Sequence, residues 1–281
     1  MTTPLQLDHF VIAVKDLGAA IRDYEKLGFT VSPGGRHTHA PTHNALVYFQ
    51  DGAYLELIEW LQPAAGEKWY ERLLDRGEGV IDFALCTVDL ATVVAKAEQY
   101  GKPVPGSRVQ ADGQEIRWQL GWPVQDVLPF LCGDLTPRLL RVPDGPCRRH
   151  ENGVTGVLDV SIRVADLDAA VRAYGALLQS EPVDGGNAKG ALTPPGLQVA
   201  VFAVGSSRLN LVASVPGSDD PVARALSRDV KRYGPGLYRM TLSGPQQSEG
   251  QLLDLRKTHG VTIQINENPA SPYSGLLPAN V

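Results

Sequence analysis

Three stretches of this chain share one skeleton: LDHFVIAVKDL from residue 7, IDFALCTVDL from residue 81 and LDVSIRVADL from residue 158. Each is an apolar run of strand length ending in Asp-Leu, so Asp16, Asp89 and Asp166 hold equivalent places. A recurring unit constrains a fold more than any single element does, because each copy must bury its apolar face against a partner of the same kind. The same superposition sets Asp82 and Asp159 where the first copy has His9.

Side chains along a strand alternate between two faces, and the three runs sort accordingly. One face is bulky and apolar: Phe10, Ile12 and Val14, then Phe83 and Leu85, then Val160, Ile162 and Val164. The other carries His9, Val11 and Ala13, then Asp82, Ala84 and Cys86, then Asp159, Ser161 and Arg163. Being smaller and more polar, it is expected to line a cleft. Asp16 then caps a helix with Leu17, Ala20, Ile21, Tyr24 and Leu27 at helical spacing and Gly28 at its stop. The second copy repeats this from Asp89 to Gly101, and the third from Asp166, with Leu178 in place of the glycine.

Turn residues follow in each copy (SPGG, VPGS, VDGG), and then further strand-like segments. These are ALVYF and AYLELIEW in the first copy, EIRWQL and VLPFLC in the second, LQVAVFAV and SRLNLVA in the third. The unit reads βαβββ. A fainter fourth unit holds GLYRMTLSG, the segment QSEGQLLDLRKTHG read as helical, and the strand VTIQI. The fold expected is therefore α+β, with four modules paired into two domains whose sheets curve like an open barrel. Residues 1–140 make the first domain, 141–155 a linker rich in Pro, Gly and charge, and 156–281 the second.

At 281 residues with 43% hydrophobic content, the chain can build two cores. Its 26 basic and 31 acidic residues give a net charge of −5 with no basic run, so nucleic acid is not an expected partner. No apolar run approaches the roughly 20 residues of a membrane helix, and MTTPLQLDH is no secretory signal, which together predict a cytoplasmic protein that leaves membranes alone. Cys86, Cys132 and Cys147 are odd in number and lack CxxC spacing, as fits reduced thiols. Neither GxSxG, GxxxxGK[ST] nor GxGxxG after a strand occurs, so no nucleotide cofactor is expected.

Repeated βαβββ units opening with LDHFVIAVKDL resemble the vicinal oxygen chelate superfamily, and GGRH with AYLELIEW resembles its glyoxalase-like branch, which includes lyases, isomerases, dioxygenases and bleomycin-resistance-type binding proteins. The resemblance implies a cleft between two paired units, with a divalent metal held from first and last strands. Carried over by position, His9, Glu56 and Asp82 are the implied metal ligands, while Phe130 falls at the fourth place and cannot ligate. Mn²⁺, Fe²⁺, Mg²⁺ or Zn²⁺ would suit such a set as a Lewis acid. Glu56 is alternatively a general base. His37 and His39 in GGRHTHAPTHN, read as a loop beside the cleft, and Asn44, which the strand THNALVYF should present to it, are the expected substrate contacts together with Arg117, Trp118 and Phe130, and Trp69 and Trp122 add aromatic wall.

In the second half, Asp159, Asn210 and Tyr238 occupy the ligand positions and make a poor metal set, so that half reads as a degenerate copy that buttresses the first or forms a homodimer interface. Three functions remain open: a metal-assisted enzyme of lyase, isomerase or dioxygenase type acting on a small oxygenated molecule, a metal-free protein that sequesters a small ligand, and a catalyst without metal that uses Glu56 as base.

Overall fold

The computed structural model describes residues 5–38, 40–110, 113–183, 195–248 and 250–267. The first module runs β1 (Gln6–Ala13), α1 (Leu17–Lys26), β2 (Ser32–His37), β3 (Thr42–Tyr48), β4 (Tyr54–Trp60). Helix α2 (Lys68–Arg76) leads into the second: β5 (Gly79–Cys86), α3 (Leu90–Lys96), β6 (Val104–Val109), β7 (Glu115–Gly121), β8 (Phe130–Asp134). These eight strands close completely, in the order β1-β4-β3-β2-β6-β7-β8-β5. After α4 (Arg138–Arg141) and a 3₁₀ turn (Pro146–Arg148) come β9 (Gly156–Arg163), α5 (Leu167–Leu178), β10 (Leu197–Val204), β11 (Ser207–Ser214), α6 (Pro221–Tyr233), β12 (Gly236–Ser243), β13 (Gln251–Leu252) and β14 (Thr262–Asn266). They form a six-stranded sheet, β10-β11-β9-β12-β14-β13.

The repeated Asp performs the same task each time. Asp16 accepts from the Ala19 amide at 2.8 Å, Asp89 from Thr92 at 3.0 Å and Asp166 from Ala169 at 2.9 Å, so each satisfies an orphan donor at a helix start. Two residues before each Asp, the backbone amides of Val14, Thr87 and Val164 donate to the carbonyls of Ile58, Cys132 and Val212. The three copies therefore superpose strand on strand, placing Glu56, Phe130 and Asn210 in equivalent positions. At the end of α5 Gln179 takes the left-handed conformation, φ 51°, that a glycine would otherwise serve.

Three local readings change. The GGRH segment belongs to β2 and VPGS to β6, because both must pair to close the barrel. QSEGQLLDLRKTHG is not a helix: it contains the short strand β13 and a turn in which Asp254 caps the Arg256 amide, with Gly250 and Gly260 at positive φ. Helices α2 and α6, capped by Glu67 and Asp220, bridge the two modules of each domain and were not anticipated.

The bulky faces meet where the domains do. Phe10, Ile12, Phe83 and Leu85 share one buried cluster with Val160, Ile162, Leu211 and Met240. The opposite face of the barrel strands turns inward, where Val11, Ala13, Ala84, Ile116, Trp118, Phe130 and Cys132 cluster.

Pairing between β1 and β5 steps from Leu7↔Leu85 to His9↔Ala84, leaving Asp8 as the extra residue of a β-bulge. Asp8 is fully buried, and the segment after the barrel neutralises it: Arg141 donates to both of its oxygens at 2.8 and 3.2 Å, and Arg138 stands 2.7 Å away. Arg141 also donates to Asp134 on β8 and to the Tyr54 hydroxyl on β4, which ties three strands to the expected linker. Burial would raise the Asp8 pKa, but Arg141, His9 and Arg138 outweigh it and hold the carboxyl well below its ordinary value. The second domain has the same bulge, at Leu158 between Thr241↔Asp159 and Leu242↔Val157.

Two outcomes follow from these charges. Replacing Asp8→Asn removes the fully buried half of this charge cluster, leaving Arg141 with Asp134 and Arg138 with Asp134 alone, and should cost about 3 kcal/mol at neutral pH, seen as a lower denaturant midpoint. Because the folded-state pKa is depressed, this contribution is present above the ordinary value of 3.8 and fades as the pH falls below it, so the gap between variant and parent should narrow in acid. Asp159 behaves oppositely: burial lifts its pKa to about 6, so its contribution to stability declines as pH rises from 3.8 to about 6. Asp159→Asn should therefore stabilise the chain at neutral pH, by at most about 3 kcal/mol, and leave it unchanged in acid, read as melting temperature against pH.

Candidate functional site

The barrel encloses a cavity of about 180 Å³. Its deep end is polar and built largely from the first module. Glu56 on β4, His9 on β1 and Asn44 on β3 point inward, as strand alternation requires, and His37 comes from β2. The Asn44 amide donates to Glu56 Oε1 at 2.6 Å. His37 Nε2 lies 3.5 Å from the same oxygen, and His9 Nε2 lies 3.6 Å from Oε2. One carboxylate is thus flanked by two imidazoles and an amide.

Each of these groups is oriented by a neighbour. Gly35 N–H donates to Asn44 Oδ1 at 2.9 Å, which fixes the amide with its NH₂ toward Glu56. A Cβ at Gly34 would overlap that same oxygen, so the Gly34-Gly35 pair is needed for the clamp. His37 Nδ1 bonds the Thr42 hydroxyl at 2.8 Å. His9 Nδ1 donates to Asp8 Oδ2 at 2.7 Å, which presents Nε2 to the cavity. The His9 ring also stacks on Tyr54, with centroids 4.8 Å apart, and meets the edge of Phe130. Burial works to raise the Glu56 pKa; His37, His9, Asn44 and Arg108 together overcome it and hold the carboxyl below its ordinary range. Glu56 is therefore an anion near neutral pH.

The remaining wall is aromatic. Trp118 on β7, Phe130 on β8, Trp122 and Trp69 surround the space, Trp122 stacking on Phe130 with centroids 5.2 Å apart. Gly106 on β6 makes room for Trp118, because a Cβ there would strike the indole nitrogen. Half-buried Ala40, Trp60 and Glu67 line its solvent side. Cys132 also lines the cavity, with burial pushing its thiol pKa well up, so it stays protonated and unreactive there.

Of the residues expected from sequence, His9, His37, Asn44, Glu56, Trp118 and Phe130 come together in this cavity. Arg117 does not: it alternates with Trp118 and stands exposed outside the barrel. His39 lies outside the described residues. Asp82 corrects the implied metal set. Its carboxylate is taken up by α2, where Arg72 and the Trp69 indole each donate to Oδ2 at 3.0 Å, beside a second bulge between Val11↔Asp82 and Ile12↔Val80. In the fourth module Arg239, not Tyr238, faces Ser161 as Asp82 faces Val11. Sequence reasoning passed over Arg108 and Arg141, which also line the cavity.

These side chains fit a metal centre poorly. The two imidazoles address different oxygens of one carboxylate, Asp82 is committed elsewhere, and Phe130 fills the fourth place. Among the described residues no three His, Cys, Asp or Glu groups gather so as to hold an ion.

Residues 7–178 match the family model described as a glyoxalase-like domain. A hypothetical protein from Staphylococcus aureus shares the fold with a TM-score of 0.68 at 13% identity, over 93% of this chain and 99% of that one. A variant of 4-hydroxymandelate synthase from Streptomyces coelicolor aligns with a TM-score of 0.59 at 15% identity, over 85% of this chain and 71% of that one. No curated protein matches by sequence. The repeated βαβββ units, their closure into a barrel and the match over residues 7–178 together place this chain in the glyoxalase-like domain family.

Proposed function

We propose that the chain is an enzyme that moves a proton on a small, planar, oxygenated molecule held in the barrel cavity, with Glu56 as the proton acceptor. The observation that carries this reading is the Glu56 carboxylate itself: buried, held ionised, and flanked by two imidazole Nε2 atoms within 3.6 Å at the deep end of an aromatic cavity. A carboxylate shielded from bulk water accepts a proton from a carbon beside a carbonyl, and an adjacent imidazole relays it. His9 suits the relay. Asp8 fixes its tautomer through Nδ1, as the orienting carboxylate of a catalytic triad does, and stabilises the imidazolium that forms. Since Glu56 titrates below the ordinary carboxylate range, the acid limb of the pH profile should lie below that range as well.

The experiment is hydrogen exchange into carbon acids in D₂O, followed by proton NMR across a panel of small aromatic ketones and 2-oxo acids. The expected result is enzyme-dependent loss of the α-proton signal with at least one member, reduced about 100-fold or more in Glu56→Gln. Exchange that survives Glu56→Gln would assign the base elsewhere.

A second reading, a protein that sequesters a flat ligand, is favoured by Phe130 and the tryptophan wall. Binding without exchange of any panel member would select it. Calorimetric titration of Mn²⁺ supplies a separate check: near-stoichiometric binding abolished by His9→Ala would restore a metal-assisted reaction in place of the metal-free one.

A further inference from the structure

Proton transfer at Glu56 uses Arg108 only as a nearby charge that helps keep the carboxylate ionised. This side chain rises from β6 beside His37, its cross-strand partner, and lines the cavity while only 5% exposed. Its guanidinium bonds the Tyr48 phenol, yet its Nε–H has no acceptor, and among the described residues no carboxylate lies within 4.0 Å of it. Burying a guanidinium costs several kcal/mol unless an anion compensates it. Glu56, the acidic group of the cavity that weighs on it, is already committed to Asn44, His37 and His9. The other cavity cation, Arg141, is spent on Asp8 and Asp134. Arg108 is therefore the cation of this lumen that, among the described residues, no carboxylate pairs directly.

The rest of the cavity specifies the shape of that anion. Trp118, Trp122 and Phe130 offer ring faces and edges, and 180 Å³ holds roughly 12–18 waters at the 10–15 Å³ each requires, which is the scale of a single substituted ring. Charge narrows the choice further. A neutral ligand would leave Arg108 unpaired, and a dianion such as a phosphate monoester would meet repulsion from Glu56. A single carboxylate satisfies both, and its two oxygens match the planar donors of a guanidinium.

We propose that the cavity takes a small aromatic carboxylate, with its carboxylate on Arg108 and its ring against Trp118 and Phe130. The assignment rests on the proton-transfer reading only for which end of the ligand reacts; the anchoring itself depends on Arg108 alone.

Isothermal titration of the intact chain with benzoate, phenylacetate and trans-cinnamate, each against its primary amide, tests this directly. At least one acid should bind about tenfold or more tighter than its amide. In Arg108→Gln that preference should collapse to about one while the amide's affinity persists. A parent protein that binds acid and amide equally, or binds none of the six, overturns the proposal, as does a preference that survives Arg108→Gln. Should that variant not fold, the parent's own acid-to-amide ratio decides, together with Glu56→Gln, in which loss of the neighbouring negative charge should tighten the acids and not the amides. The two ideas fail separately: a ratio near one with exchange still lost in Glu56→Gln removes the anchor and keeps the base, whereas a high ratio without any exchange keeps the anchor and removes the base.

Discussion

A negative charge buried at a break in strand alternation organises this barrel. Asp8 has no access to water, and a carboxylate in that position is tolerable only with cations at hand. Arg138 and Arg141 supply them from the segment that follows the last barrel strand, and Arg141 spreads its donors over Asp8, Asp134 and Tyr54. The ends of β1, β8 and β4 are thereby fastened to one side chain. His9 inherits its orientation from the same carboxylate, and Glu56 faces His9. Stability of the closed barrel and readiness of the site thus rest on a common group of charges.

How much of this was legible depended on whether a residue sat on a regular, repeated strand. His9, Glu56 and Phe130 could be placed because period two and the repeated Asp-Leu fix both face and register, and the observed pairing of Val11 with Glu56 and of Ala84 with Phe130 agrees with that alignment. Asp82 was given its place on the strand, but α2, whose Arg72 and Trp69 hold its carboxylate, was not foreseen. Arg108 and Arg141 were hidden for another reason. They lie in VPGSRV and TPRLLRVPDGP, where Pro and Gly signal turns, although barrel closure makes the first a strand and charge neutralisation buries the second. Helix α2 escaped notice because its apolar residues are interleaved with charge and only Leu73 is buried.

The second domain shows what the same scaffold does with other side chains. Asp159 replaces His9, Asn210 replaces Glu56, and their side chains bond each other at 3.1 Å. A neutral amide and the Thr241 hydroxyl against a carboxyl whose pKa is raised to about 6 form a polar cluster with neither a flanking imidazole nor a carboxylate of lowered pKa. The half that carries the outward-facing apolar surface for the barrel to rest on has given up the constellation that the barrel keeps.

The bulge at position 8 has its counterpart at Leu158, so the irregularity belongs to the shared unit and the charge upon it to one copy alone. A regular strand offers a given face only every second residue. By stepping out of register once, β1 sets two consecutive side chains, an imidazole and its counter-charge, on the same side of the sheet. The dyad is assembled within a single peptide unit, and its internal spacing is set by covalent geometry instead of by the packing of distant elements.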